Sequence, residues 1–187
     1  MIELNMENPL LKIQTEKESN AKSYPRHFPF VIKKAKGMMV TDTEDKIFYD
    51  CLSGAGTLAL GHNHDVVVKA IEDVLKQQIP LHTLDLATPL KIEFMQEIFS
   101  ILPEALRDTT KIQFCGPTGA DGVEAAIKLV KNATKGKSIL AFQGSYHGST
   151  QATMSMSGNL SKKQHLQSLL PDVHFLPFPY EYRCLSG

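Results

Sequence analysis

Apolar and polar positions alternate in distinct ways along this chain. The first 22 or so residues are polar and weakly patterned, which predicts a flexible or helical arm. Tyr24, Pro25, Arg26 and Pro29 then punctuate an extended stretch. In VIKKAKGMMVTDTEDKIFYDC, Gly37 and the polar run Asp42 to Asp45 separate short apolar segments, which predicts small antiparallel strands joined by a polar turn. The loop SGAGTLALGHNHD follows, rich in glycine. From Asp65, which can cap a helix, to Gln77 the apolar residues Val67, Ala70, Ile71, Val74 and Leu75 recur at helical spacing. The stripe Val67, Ile71, Val74 is expected to face a core. A second helix is expected from Pro89 to Phe99, with Leu90, Phe94 and Ile98 on one face, and Pro103 closes that region.

From Lys111 the pattern changes. KIQFC reads as a short strand, GPTG as a turn, ADGVEAAIKLVKNA as a helix, and SILAFQG as a buried strand. Strand, helix and strand within about 33 residues predict a βαβ unit of a parallel sheet. DVHFLPF is a further expected strand. Neither repeats nor low-complexity tracts interrupt the pattern.

Composition narrows the classes. The chain has 187 residues, with 20 Lys+Arg against 20 Asp+Glu, so its formal net charge is zero. A dedicated nucleic-acid binder carries a basic excess, so no nucleic-acid partner is expected. Since no apolar run approaches the ~20 residues that span a bilayer, no membrane partner is expected either. The N-terminus lacks the basic start and apolar core of a signal peptide. The three cysteines, Cys51, Cys115 and Cys184, are odd in number and far apart, and fit neither a disulfide framework nor a zinc site. A soluble, cytoplasmic protein is the expectation.

The strongest chemical signal is GPTGADGVEAA, between an expected strand and helix. Thr118 can cap the helix, and Asp121 stands three residues on, a capping-box variant. Gly119 would let the backbone turn tightly and approach a ligand. The N–H groups of Gly119, Ala120 and Asp121 would then face out of the helix start, which favours a phosphate. A capped helix with no ligand explains the same residues. The glycines at 116, 119 and 122 do not make a dinucleotide fingerprint. Lys137 has no P-loop before it and reads as a solvated turn residue.

The second signal is GSYHG, at the end of the next expected strand. Ligands of open parallel sheets sit at the carboxyl ends of strands, so both loops would open on one edge. The Tyr146 ring could stack on a flat heterocycle, although Tyr146 and His147 also suit an ordinary loop. A phosphate cradle beside an aromatic platform suggests a phosphorylated aromatic cofactor, a description that pyridoxal phosphate (PLP) fits. The other polar residues take plainer readings. His62 and His64 are expected in loop hydrogen bonds rather than on a metal. Asp50 and Asp85 read as lone carboxylates.

The ordered set SYPRHFPF, GAGTLALGHNH, LDLATP, QFCGPTGAD and YHG resembles class III aminotransferases, and within them the diaminobutyrate–2-oxoglutarate group. The resemblance runs from about Ser23 to the C-terminus. It implies an α/β fold of fold type I, here incomplete: an N-terminal α+β segment followed by the start of a mostly parallel-sheet large domain. The expected divisions are an arm at 1–22, a small-domain segment at 23–88, and the first part of the PLP-binding large domain at 89–187. The resemblance implies PLP-dependent transfer of an amino group from 2,4-diaminobutyrate, or a similar terminal amine, to 2-oxoglutarate, giving glutamate. The partners implied are a small-molecule amine donor and a 2-oxo acid, with a homodimer for the full-length enzyme.

Residue by residue, the family's phosphate-binding pair falls on Gly119 and Ala120, preceded by Thr118. Its ring-stacking aromatic falls on Tyr146, before His147 and Gly148. Its substrate-side aromatic and Gly-rich loop fall on Tyr24 and Ala55. Arg26 could clamp a carboxylate, but a surface arginine is the preferred reading. Departures from the family's pattern are Asp121 for Glu, Gly122 for Ala, Asp65 for Pro, Ser145 for Gly, and the ending CLSG. The family's Schiff-base Lys and pyridine-facing Asp match no residue of this chain and are expected downstream, so the 187 residues alone are expected to be inactive. Two alternatives remain at this point: a truncated, non-catalytic remnant, and an unrelated module that binds a phosphate ligand.

Overall fold

A computed structural model describes residues 8–19, 28–159, 161, 163, 164, 166 and 168–183. The chain divides into two compact units, Met1–Leu81 and His82–Gly187. Tyr24, Arg26 and Cys184 lie outside the described residues.

The first unit begins with α1, Pro9–Lys17, capped by the Asn8 side chain, which accepts the Leu10 N–H. The Asn8 amide also donates to Thr43 Oγ1 at 3.3 Å, which ties α1 to the turn after β2. Leu11 is its buried residue. The sheet is an antiparallel meander of β1 (Ile32–Lys36), β2 (Met39–Asp42) and β3 (Ile47–Tyr49). The expected antiparallel strands are thus present. Asp42 shapes the polar turn, because its buried carboxylate accepts the N–H groups of Glu44 at 2.9 Å and Lys46 at 2.8 Å. The rings of Phe30 and Phe48 stack with centroids 4.4 Å apart.

Helix α2, Asp65–Lys76, starts where the sequence places it, although His64 rather than Asp65 occupies the cap position. The expectation that its apolar stripe forms core is corrected. Val67 is 43% and Ile71 57% exposed, and the helix buries no residue. The amphipathic spacing marks a face suited to burial, but burial also requires a second apolar surface. The strands of this unit centre on a single buried hydrophobic residue, Val40.

The second unit holds α3 (Pro89–Ile101), α4 (Glu104–Arg107), α5 (Gly119–Thr134), β4 (Ile139–Phe142), α6 (Gln151–Met156), β5 (Val173–Leu176) and a 3₁₀ turn at Glu181–Arg183. Helix α3 starts at Pro89, as the sequence predicts, and the structure adds a capping Thr88, whose hydroxyl accepts the Lys91 N–H at 3.2 Å. Strands β4 and β5 pair in parallel, Ile139 opposite Val173 and Phe142 opposite Leu176, with α6 in the crossover. The observed βαβ unit is therefore β4–α6–β5.

KIQFC is corrected from strand to irregular chain. A parallel strand needs a neighbour for its ladder, and β4 pairs only with β5 among the described residues. The segment is held instead through Phe114, which lies 6.2 Å from the Phe94 ring and under Lys91 Nζ at 4.7 Å. No helix of the described residues is long and apolar enough to cross a membrane.

Candidate functional site

The start of α5 is fixed by reciprocal bonds between Thr118 and Asp121. Thr118 Oγ1 accepts the Asp121 N–H at 3.2 Å, while Asp121 Oδ2 accepts from the Thr118 N–H at 3.1 Å and its hydroxyl at 2.8 Å. The expected capping box is present. It also corrects one detail, because the Asp121 N–H is used by the cap and does not face outward. Gly119 and Ala120 occupy the first two helical positions, where an N–H has no intrahelical acceptor. These two N–H groups and the positive end of the helix dipole are what an anion would meet.

The steric need for glycine also falls elsewhere than expected. Among the described residues, nothing beyond the helix's own nearby backbone and the two chain neighbours lies within 4 Å of where a Cβ at Gly119 would stand, and its φ is not left-handed. A Cβ at Gly116, by contrast, would collide with the Asp121 carboxylate. Gly116 makes the turn possible, and Gly119 leaves open space in front of the helix.

The loop after β4 is built on buried hydroxyls. Thr153, Ser155 and Ser157 of the α6 segment are almost wholly buried. Ser157 Oγ accepts the His147 N–H at 3.1 Å and lies 3.2 Å from the Gly148 carbonyl oxygen. Thr153 Oγ1 accepts the Thr150 N–H at 3.0 Å. The loop thereby presents the Tyr146 ring, which is 71% exposed and has its hydroxyl 3.3 Å from Ser149 Oγ.

The two loops meet. A Cβ at Gly148, where φ is 126°, would stand 2.7 Å from the Ala120 Cβ. One turn further along α5, Glu124 Oε1 accepts from the Thr150 hydroxyl at 2.6 Å and the Ala152 N–H at 3.2 Å. Ala120 and Glu124 therefore share one helical face, set against Gly148 and Thr150. The structure thus brings Thr118, Gly119 and Ala120 together with the loop that carries Tyr146 and His147. A cavity of about 490 Å³ lies beside this loop, lined by Ser149, Thr150, Gln151, Met154, Leu166, Ser168 and Leu169. None of those five site residues lines it.

Glu124, Thr150 and the buried hydroxyls were missed by sequence reasoning. Their signal is faint: an acidic residue inside a helix and a run of Thr and Ser, both of which usually mean a solvated surface.

Ala55 belongs to the first unit and is exposed. It sits in a run of left-handed residues, with φ of 51° at Ser53, 59° at Gly54, 58° at Ala55 and 89° at Gly56. Two non-glycine residues in that region mark a loop whose shape is imposed by its surroundings. One imposing contact is His62 Nε2 to Asp50 Oδ2 at 2.7 Å. Asp50 is thus no lone carboxylate, and Asp85 faces His82 Nε2 at 3.6 Å. His64 Nδ1 is buried without a partner among the described residues. Nowhere among those residues do three His, Cys, Asp or Glu side chains gather as metal ligands.

The family profile described as "Aminotransferase class-III" matches residues 20–186. The chain belongs to the class III aminotransferase family. It is 52% identical over 174 residues to a diaminobutyrate–2-oxoglutarate aminotransferase of Rhizobium meliloti (strain 1021), covering 93% of this chain and 37% of that protein. It is likewise 52% identical over 170 residues to the enzyme of the same name from Haemophilus influenzae (strain ATCC 51907 / DSM 11121 / KW20 / Rd), covering 91% and 37%. Among solved structures, a taurine:2-oxoglutarate aminotransferase from Bifidobacterium kashiwanohense, in complex with PLP and glutamate, superposes with a TM-score of 0.79. The identity there is 23%, over 92% of this chain and 38% of that one, so the likeness concerns the fold. The chain spans under two-fifths of the length of these relatives and corresponds to their N-terminal part. The partial α/β fold of a fold type I transaminase is therefore as expected. Membership of this family displaces the alternative of an unrelated phosphate-binding module.

Proposed function

We propose that these residues form the N-terminal part of a PLP-dependent aminotransferase. It moves an amino group from 2,4-diaminobutyrate, or a similar terminal amine, to 2-oxoglutarate, giving glutamate. In this reading residues 23–88 belong to the small-domain segment and 89–187 to the first part of the cofactor-binding domain. The full-length protein works in the cytoplasm as a homodimer. The 52% identity to two enzymes bearing the diaminobutyrate name supports the substrate.

The observation that carries the cofactor assignment is the junction of the α5 N-terminus with the Tyr146 loop at Ala120 and Gly148. The residues present fit a phosphorylated aromatic ring. The N–H groups of Gly119 and Ala120 bind the phosphate, with Thr118 holding the turn. Tyr146 offers an exposed ring face for stacking, and His147 stands next to it. When bound, PLP supplies an electron sink for the bonds at the amine-bearing carbon. This chain's part is to hold and orient the cofactor. Tyr24 and Ala55 are assigned to the substrate side.

The test is chemical. The protein isolated from its source cells is given 2,4-diaminobutyrate and 2-oxoglutarate, and glutamate is measured. Borohydride reduction should fix PLP on one lysine. Glutamate from another amine, but none from diaminobutyrate, would replace the substrate assignment. Reversible PLP binding with neither glutamate nor adduct would favour the non-catalytic remnant.

A further inference from the structure

Glu124 lies away from the outward N–H groups of Gly119 and Ala120, yet it is the polar group that links α5 to the aromatic loop. Its Oε1 receives both the Thr150 hydroxyl, at 2.6 Å, and the Ala152 N–H, at 3.2 Å. Thr150 in turn is locked to Thr153, through its N–H at 3.0 Å and through the two hydroxyls at 2.7 Å. Thr153 is 0% exposed and packs where a Cβ at Gly148 would stand. Ala120, Gly148, Thr153, Thr150 and Glu124 thus close a ring of contacts between the two loops. We infer that Glu124, acting through Thr150, is a positioning residue that sets the Tyr146 loop against the phosphate-facing end of α5. The inference rests on the cofactor reading given above.

The chemistry separates two functions of the site. Phosphate recognition uses only the start of α5, whose geometry is fixed by Thr118 and Asp121. Recognition of an aromatic ring needs the Tyr146 loop at the correct distance from that start. Loss of Glu124 should therefore weaken a ligand that has both groups and spare a ligand that has phosphate alone. Because the same oxygen accepts both bonds, a glutamine at 124 retains an acceptor in the right place, with the negative charge removed. A side chain without an acceptor does not.

The full chain and its variants are titrated with pyridoxamine phosphate, followed by fluorescence, and with inorganic phosphate, followed by phosphorus NMR. Pyridoxamine phosphate is chosen because it binds without a lysine adduct. Glu124→Ala and Thr150→Val should each weaken pyridoxamine phosphate about tenfold, a typical effect of losing one charge-assisted bond. Inorganic phosphate binding should stay within about twofold by the same energetic scale. Glu124→Gln should restore most of the ring-dependent affinity. Equal losses for both ligands would mean that Glu124 merely supports the unit, and would overturn the inference. Unchanged pyridoxamine phosphate binding in Glu124→Ala would overturn it as well. A wild-type chain that binds neither ligand would remove the cofactor reading, and the inference with it.

Discussion

Nε2 of His62 lies 2.7 Å from Oδ2 of Asp50, and this pair fastens both ends of the Gly-rich loop. The other carboxylate oxygen of Asp50 accepts the N–H groups of Leu52 and Ser53, each at 2.9 Å. His62 exchanges two backbone hydrogen bonds of 2.8 Å with Gly37, at the β1–β2 turn. The loop that holds Ala55 is therefore anchored to the meander by one carboxylate and one bridge. Its left-handed residues persist because their flanks are tied down.

This anchor should respond to acid. The hydrogen bond from His62, and next the backbone N–H of Ser53, hold the Asp50 carboxyl below its ordinary value of 3.8. A carboxyl depressed on folding stabilises the fold in full above its unfolded pKa. That contribution is lost as pH falls from about 3.8 through the lower folded value. Amide exchange of residues 50–62 should accelerate below about pH 4, after correction for intrinsic rates. Asp50→Asn keeps an acceptor for the two loop N–H groups but removes the titrating charge. It should flatten the acid response. An acid response of full size in Asp50→Asn would assign the effect to another group.

Gly119 and Gly122 stand in the same helix with open space at both, yet their replacements should differ. At neither position does an atom of the described residues beyond the helix's own nearby backbone and the two chain neighbours lie within 4 Å of where a Cβ would stand, and neither has a left-handed φ. Gly122 lies inside the first turn of α5, so Gly122→Ala should raise stability by up to ~1 kcal/mol through helix propensity. Gly119→Ala should leave stability almost unchanged while weakening inorganic phosphate and pyridoxamine phosphate alike, because the methyl would occupy the space before the two free N–H groups. Urea unfolding and ligand titration of both variants decide the point. A Gly119→Ala chain with unaltered ligand binding would move the phosphate away from this helix start.

The starts of α3 and α5 were legible because they are written locally. Thr118 with Asp121 caps α5 within four residues of sequence, and Pro89 marks the first position of α3. The meander was legible from its turn residues, Gly37 and Asp42. What failed depended on partners distant in sequence. Among the described residues, KIQFC has strand composition but no ladder, and the Val67–Ile71 face has helical spacing but stays largely exposed. Periodicity reports what a segment is suited to bury and leaves unstated what covers it. At the site, the two loops could be found from their own residues. The bond that joins them could not, since Glu124 and Thr150 are 26 residues apart and each looks like an ordinary surface side chain.

Gly148 gives the sharpest steric test of that junction. Its φ of 126° lies where L side chains rarely go, and a Cβ would stand 2.7 Å from the Ala120 Cβ and 2.8 Å from Thr153 Oγ1. Both neighbours are constrained. Ala120 is fixed in α5, and Thr153 is buried with its hydroxyl committed to Thr150. The strained backbone and the overlap each cost about 1–3 kcal/mol. Gly148→Ala should therefore lower unfolding stability by roughly 2 kcal/mol or more. Relief should come from making room on the other side. Ala120→Gly in the Gly148→Ala background removes the closest contact and should recover part of the loss, despite the helix cost of a second glycine. If Gly148→Ala unfolds at the same urea concentration as the wild type, α5 and the Tyr146 loop do not touch as described. If it is destabilised and Ala120→Gly brings no recovery, the strain lies in the backbone at 148 and not in the contact between the loops.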